Sequence, residues 1–113
     1  MPFINVKTNI AVSPDKLTAV KAQLGNAITA IPGKSEHWLM VAVEPETALY
    51  FQGTDAPAAM VQVQIYGTTS GNACEALTGK ICAILETELS IPADRVYVSY
   101  WQTPNWGWNN SNF

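Results

Sequence analysis

An Ile-Pro pair occurs twice in this chain, at Ile31-Pro32 and Ile91-Pro92, and each time it closes the same succession of a strand-like and a helix-like segment. Proline cannot continue a helix, and it steers the residue before it towards extended dihedrals, so each pair reads as a helix stop. Ahead of the first stop, Pro2 to Thr8 reads as a strand through Phe3, Ile4 and Val6. Ser13-Pro14-Asp15 then supplies a capping hydroxyl, a proline at the first helical position and an acid in the first turn. Leu17, Val20, Leu24, Ile28 and Ile31 follow at helical spacing as one apolar stripe. Beyond the stop, Leu39 to Val43 is a continuous apolar run, the pattern of a strand covered on both faces.

The second half repeats the plan. In the strand Ala59 to Tyr66, Val61, Val63 and Ile65 alternate with Gln62 and Gln64, an amide face suited to a wet space. Gly71-Asn72 opens a helix whose buried stripe is Leu77, Ile81, Ile84, Leu85 and Leu89. Arg95 to Trp101 is the last long strand, with Tyr97, Ser99 and Trp101 on one face and Val96, Val98 and Tyr100 on the other. A βαβ duplication constrains the fold strongly. Each crossover makes a parallel strand pair with its helix on one side. The reading is therefore an α+β chain, one domain over 1–113 with pseudo-repeat halves of about 1–57 and 58–113, and a four-stranded mixed sheet with two helices on one face.

That arrangement leaves the other sheet face bare. Hydrophobic residues make up 48% of the chain and charged ones 13%, roughly half the ~25% charge of ordinary domains. A chain of 113 residues buries a limited core alone, so a closed oligomer that covers the bare faces is expected. The formal charge of −3, with no basic run, lacks the footprint that phosphate backbones demand and excludes nucleic acid as a partner. No stretch approaches the ~20 apolar residues of a membrane span, and no basic region precedes an apolar core at the start. The expected location is cytoplasmic, with release by a signal-peptide-independent route left open. Cys74 and Cys82 sit eight residues apart in one helix, about 12 Å, beyond the ~7 Å reach of a disulfide. They read as reduced core thiols. His37, the single histidine, has no carboxylate or thiol cluster beside it, so it reads as a surface or strand-edge residue and no metal site is expected.

Removal of Met1 gives Pro2 a free secondary amine, a nitrogen able to act as a base, whereas an interior proline has neither an N–H nor a basic nitrogen. Taken alone, Pro2 reads first as an accident of the chain start. Lys34 reads alone as a solvated cation past a helix end, favoured there by the helix dipole.

Four segments alter that balance: Pro2-Phe3-Ile4, Gly33-Lys34, Asp94-Arg95-Val96-Tyr97, and the tail Trp106-Gly107-Trp108-Asn109-Asn110-Ser111-Asn112-Phe113. Together they resemble the macrophage migration inhibitory factor family of the tautomerase superfamily, across essentially the whole chain. The resemblance implies a homotrimer whose three sheets enclose a central channel, with an active site at each subunit interface and no cofactor. It implies keto–enol tautomerisation of small aromatic 2-oxo acids such as phenylpyruvate, and of dopachrome. It implies Pro2 as general base in apolar surroundings that Phe3, Ile4 and interface aromatics supply. Lys34 then holds the substrate carboxylate and depresses the Pro2 amine. Ile65 or Tyr66 forms an apolar wall, Tyr97 crosses the interface, and Trp38, Trp106, Trp108 and Phe113 make an aromatic mouth. Ser99 stands where many members carry asparagine, and its shorter hydroxyl has less reach to a substrate's distal phenol. Ala58-Ala59-Met60-Val61 stands where vertebrate cytokine members carry Cys-x-x-Cys, so thiol oxidoreductase chemistry is not expected. The competing function is a secreted, cytokine-like binding protein with vestigial catalysis.

Overall fold

Both long helices begin on a serine cap. The Ser13 hydroxyl accepts the Lys16 N–H at 3.3 Å and the Ser70 hydroxyl accepts the Ala73 N–H at 3.1 Å, each supplying a partner for a donor that the first turn leaves free. The computed structural model describes residues 1–113. In chain order it comprises β1 (Pro2–Thr8), α1 (Pro14–Ala27), β2 (Met40–Glu44), β3 (Ala59–Tyr66), α2 (Gly71–Leu89), β4 (Val96–Thr103), β5 (Gly107–Trp108) and β6 (Ser111–Asn112). Single 3-10 turns occupy Ile28–Ala30, Glu36–Trp38 and Ala93–Arg95.

The main sheet has the order β2-β1-β3-β4. β1 runs parallel to β2 and β3 parallel to β4, while β1 and β3 meet antiparallel down the centre. This is the expected mixed sheet built from two crossovers. Ile4 and Val6 of β1 and Val61, Val63 and Ile65 of β3 face one side, where they pack with Val20, Leu24, Leu77, Ile81 and Leu85 of the helices. The two stop isoleucines close opposite ends of that core, Ile31 and Ile91 being 1% and 0% exposed.

The stops differ in geometry. α1 tightens into the turn Ile28–Ala30 before Pro32, whereas α2 ends on Ser90 in the left-handed region, φ 56°. Three details correct the sequence reading. Leu17 is 43% exposed, because the α1 stripe meets the core only from Val20 onward. β2 is an edge strand: Val41 and Val43 pack on the core, but Met40 on its other face is 68% exposed. The cysteines are unpaired and only half-buried on α2, outside the core.

The sheet face away from the helices carries three cross-strand rows. Met40, Phe3, Gln64 and Trp101 form one, Ala42, Asn5, Gln62 and Ser99 the next, and Glu44, Lys7, Met60 and Tyr97 the third. Both long helices lie on the opposite side, and Tyr97 and Trp101 are each 61% exposed.

Candidate active site

Antiparallel pairing sets Pro2 opposite Ile65 and leaves Met1 just beyond the sheet. There the Tyr66 N–H donates to the Met1 carbonyl at 3.0 Å. Pro2 itself is buried. Beside it opens a cavity of about 360 Å³ whose walls include Pro2, Phe3, His37, Trp38, Trp106 and Trp108, within the ~300–1,000 Å³ range of small-molecule sites. Met1 also lines it. Ile4 does not contribute to these surroundings as expected, because strand alternation turns it into the core at 0% exposure.

Lys34 reaches this corner because the chain reverses after the Ile31 stop. Gly33 adopts φ 79°, a dihedral that a side chain resists, and the Lys34 N–H donates back to the Ile31 carbonyl at 3.1 Å. The Lys34 ammonium donates to the Tyr66 carbonyl at 2.9 Å and lies 5.9 Å from the centre of the Tyr66 ring. Burial, the Lys34 charge and a Lys34 hydrogen bond together hold the Met1 amine below its ordinary value of 8.0. All three act by disfavouring the protonated amine.

The tail folds into a small hairpin, β5 to β6, turning on Asn109 and Asn110. Both asparagines have positive φ, 52° and 72°, the pattern of a two-residue type I′ turn that asparagine tolerates. The Phe113 N–H closes the tail onto the Trp106 carbonyl at 3.0 Å. Ring contacts then run in series: Trp38 edge-on to Trp108 at 5.0 Å, Trp108 stacked on Phe113 at 6.0 Å, and Phe113 against Tyr66 at 5.5 Å.

Of the residues expected at the site, one chain thus gathers Pro2, Lys34, Trp38, Tyr66, Trp106, Trp108 and Phe113. It does not bring Ile65, Tyr97 or Ser99 there. Ile65 is 0% exposed inside the core, so Tyr66 alone supplies that wall. Tyr97 is level with Lys7, five residues along β1 from Pro2, or about 17 Å at strand spacing. Ser99 is level with Asn5, and its hydroxyl oxygen is covered with no hydrogen-bond partner. Tyr97 packs instead on Phe51 at 4.7 Å.

Residues that sequence reading had not assigned complete the cavity wall: His37, Leu39 and Met40, with His37 edge-on to Trp38 at 4.9 Å. No local signal identifies them, since their proximity to Pro2 follows from the parallel register Phe3 to Met40. Arg95 was quoted as part of a motif without a role. Its guanidinium donates to the carbonyls of Phe51, Thr54, Ala56 and Pro57 at 2.8–3.3 Å and fastens that loop beside Tyr97.

An α+β chain with its N-terminal strand opening onto an aromatic cavity and a lysine beside the amine at the chain start is the class of protein that this fold and site define. The chain belongs to the macrophage migration inhibitory factor family, whose model matches residues 1–113, within the tautomerase superfamily. It is similar to mouse macrophage migration inhibitory factor, 31% identical over 118 residues that cover 100% of this chain and 99% of that protein. Among solved structures it resembles Leishmania major MIF2, with a TM-score of 0.93 and 34% identity over 100% of this chain and 97% of that one. A homologue from Prochlorococcus marinus matches at a TM-score of 0.83 and 28% identity, covering 98% of each chain.

Proposed function

We propose that this protein is a keto–enol tautomerase of small aromatic 2-oxo acids, acting as a homotrimer, with the Pro2 amine as general base once Met1 has been removed. Phenylpyruvate is the reference substrate and dopachrome a second one. The observation that carries this reading is the setting of the Met1 carbonyl. It accepts the Tyr66 N–H, and the amine of the same residue, which lines the cavity, feels the Lys34 ammonium.

Loss of Met1 removes that oxygen together with a side chain that lines the cavity. Two donors then flank the new amine, and a substrate carboxylate supplies the oxygens they lack, with Lys34 acting as a point charge. The ring of the substrate lies among Trp38, Tyr66, Trp108 and Phe113, whose faces suit offset and edge-on stacking. The neutral Pro2 nitrogen takes a proton from the carbon between ring and carbonyl and returns it to the carbonyl oxygen, so the ketone becomes the enol and the amine is neutral again. Catalysis needs the amine neutral, and the causes that lower the Met1 amine also act on an amine one residue further in.

Tyr97, too distant within one chain, reaches the site only from a neighbouring subunit, and the uncovered sheet face gives that neighbour a surface to meet. The test is phenylpyruvate tautomerisation by protein whose mass shows Met1 absent, beside Pro2→Gly and Met1-retaining material. Only the first is expected to turn over. Undiminished turnover by Pro2→Gly overturns the assignment and leaves a binding protein as the better description.

A further inference from the structure

Arg95 commits its guanidinium to one loop. Nη1 donates to the Phe51 carbonyl at 2.8 Å, Nη2 to those of Thr54 and Ala56 at 3.3 and 2.9 Å, and Nε to that of Pro57 at 3.3 Å. The loop turns on Gln52 and Gly53, whose φ values are 53° and 77°, and Phe51 and Thr54 exchange backbone hydrogen bonds across it at 2.9 and 3.1 Å. A planar fork of donors suits carbonyls set around it in this way, where the point-like ammonium of a lysine does not.

The same guanidinium lies 5.2 Å from the centre of the Phe51 ring, and that ring packs on Tyr97 at 4.7 Å with the planes tilted by 57°. Arg95, Phe51 and Tyr97 thus form one stack, which begins in the loop and ends on the open sheet face. Pairing with β3 at Met60 holds the Tyr97 backbone, so what is left to fix is the direction of the side chain. That side chain is largely exposed. Beside it opens a cavity of about 160 Å³ that Leu49, Phe51, Met60 and Arg95 wall with it, space into which an unsupported ring turns by changing rotamer.

We propose that Arg95 is a positioning residue: through Phe51 it sets the direction of the Tyr97 side chain, and it does so for the cavity of the neighbouring subunit rather than for the Pro2 cavity of its own chain. This rests on the trimeric tautomerase reading. The test uses Met1-free Arg95→Ala and Phe51→Leu, the second leaving the carbonyl bonds in place and removing only the ring between guanidinium and Tyr97. Each variant is assayed with phenylpyruvate alone and in mixed trimers co-expressed with Pro2→Gly. Fluorine NMR of fluorotyrosine-labelled protein follows the four tyrosines, with the Tyr97 line assigned by its loss in Tyr97→Phe.

Alone, each variant is expected to keep the trimer mass and lose about tenfold to hundredfold in kcat/KM, the scale of a misplaced contact. In a cyclic trimer each subunit meets its two neighbours through different surfaces, so a chain lacking only the support of Tyr97 complements a chain lacking only the Pro2 base. Mixed in equal amounts, the two should reach about a quarter of wild-type activity, the chance that a site draws an intact Pro2 from one subunit and a supported Tyr97 from the next. A residue serving the cavity of its own chain gives no such recovery. The Tyr97 line should shift or broaden in both variants while those of Tyr66 and Tyr100 hold. Should Arg95→Ala fail to fold, Phe51→Leu decides alone. With an active wild type, undiminished kcat/KM in the variants or no recovery in mixed trimers overturns the proposal. An unmoved Tyr97 line, or movement of all four lines, overturns it too. If wild type converts no phenylpyruvate, the tautomerase reading fails and the Tyr97 line by itself decides the role of Arg95.

Discussion

At Lys34 one cation does two things: it closes on the Tyr66 carbonyl at 2.9 Å and it disfavours the protonated amine at the chain start. The sign of the pH effect follows. An amine whose charged form is penalised loses its proton at lower pH, so kcat/KM should rise with pH through a midpoint below the ordinary ~8 of an α-amino group. Lys34→Ala should move that midpoint upward and weaken binding of the carboxylate. Lys34→Arg, which keeps the charge, should move the midpoint less. A pH–rate profile of the three proteins checks this, and an unchanged midpoint in Lys34→Ala would show that burial alone sets the amine. Ser90 makes the residue-scale case for stability. Its φ of 56° closes α2 in a conformation that non-glycine residues resist, so Ser90→Gly should raise stability by about 0.5–1 kcal/mol, read as a higher thermal midpoint.

Among the elements, α2 carries the core. Leu77, Ile81 and Leu85 are each 0% exposed, and Leu77→Ala should lower unfolding free energy by about 3 kcal/mol through lost burial and the remaining cavity, measurable by denaturant titration. Half-burial, with Glu86 nearby, pushes the Cys82 thiol up; it should react slowly with thiol reagents at neutral pH. The helices and long strands were legible because period 3.6 and period 2 are local signals. Leu17 misled because periodicity records a stripe and not where a neighbouring element ends. The tail hairpin was signalled by Asn109-Asn110, two residues that tolerate positive φ, but its composition drew the reading towards aromatics and away from turn chemistry. His37 is exposed, as its sequence reading had it, but its place on the cavity wall was not legible. Its position depends on the register between β1 and β2, a pairing across thirty-seven residues of sequence that no local pattern encodes.

The whole molecule is wider than a compact sphere. Its radius of gyration is 14.1 Å, against about 13 Å for a chain of this length, and the sheet face away from the helices keeps large side chains exposed. Trp101 stands at the β4 end of the row formed by Met40, Phe3 and Gln64 on that face, 61% exposed. The proposed trimer would bury such a surface. Trp101→Glu should therefore lower the native mass from trimer to monomer in sedimentation or native mass spectrometry, and tautomerase activity should fall with it. A monomer that stays active would mean that each chain holds a complete site, against the offset of about 17 Å along the strands, with two strand spacings across the sheet besides, that the register places between Pro2 and Tyr97. The half of the site formed by one chain could be placed from the family-like segments. In the proposed trimer the half containing Tyr97 comes from another copy, which no single chain displays.

The central claim is that the Pro2 nitrogen is the base. It is tested most directly by titrating that nitrogen, with 15N-labelled proline in Met1-free protein, and by measuring kcat/KM for phenylpyruvate over the same pH range. Coincident midpoints, both below the ordinary α-amino value, are the predicted result. A rate that rises with pH independently of the Pro2 titration would contradict the account.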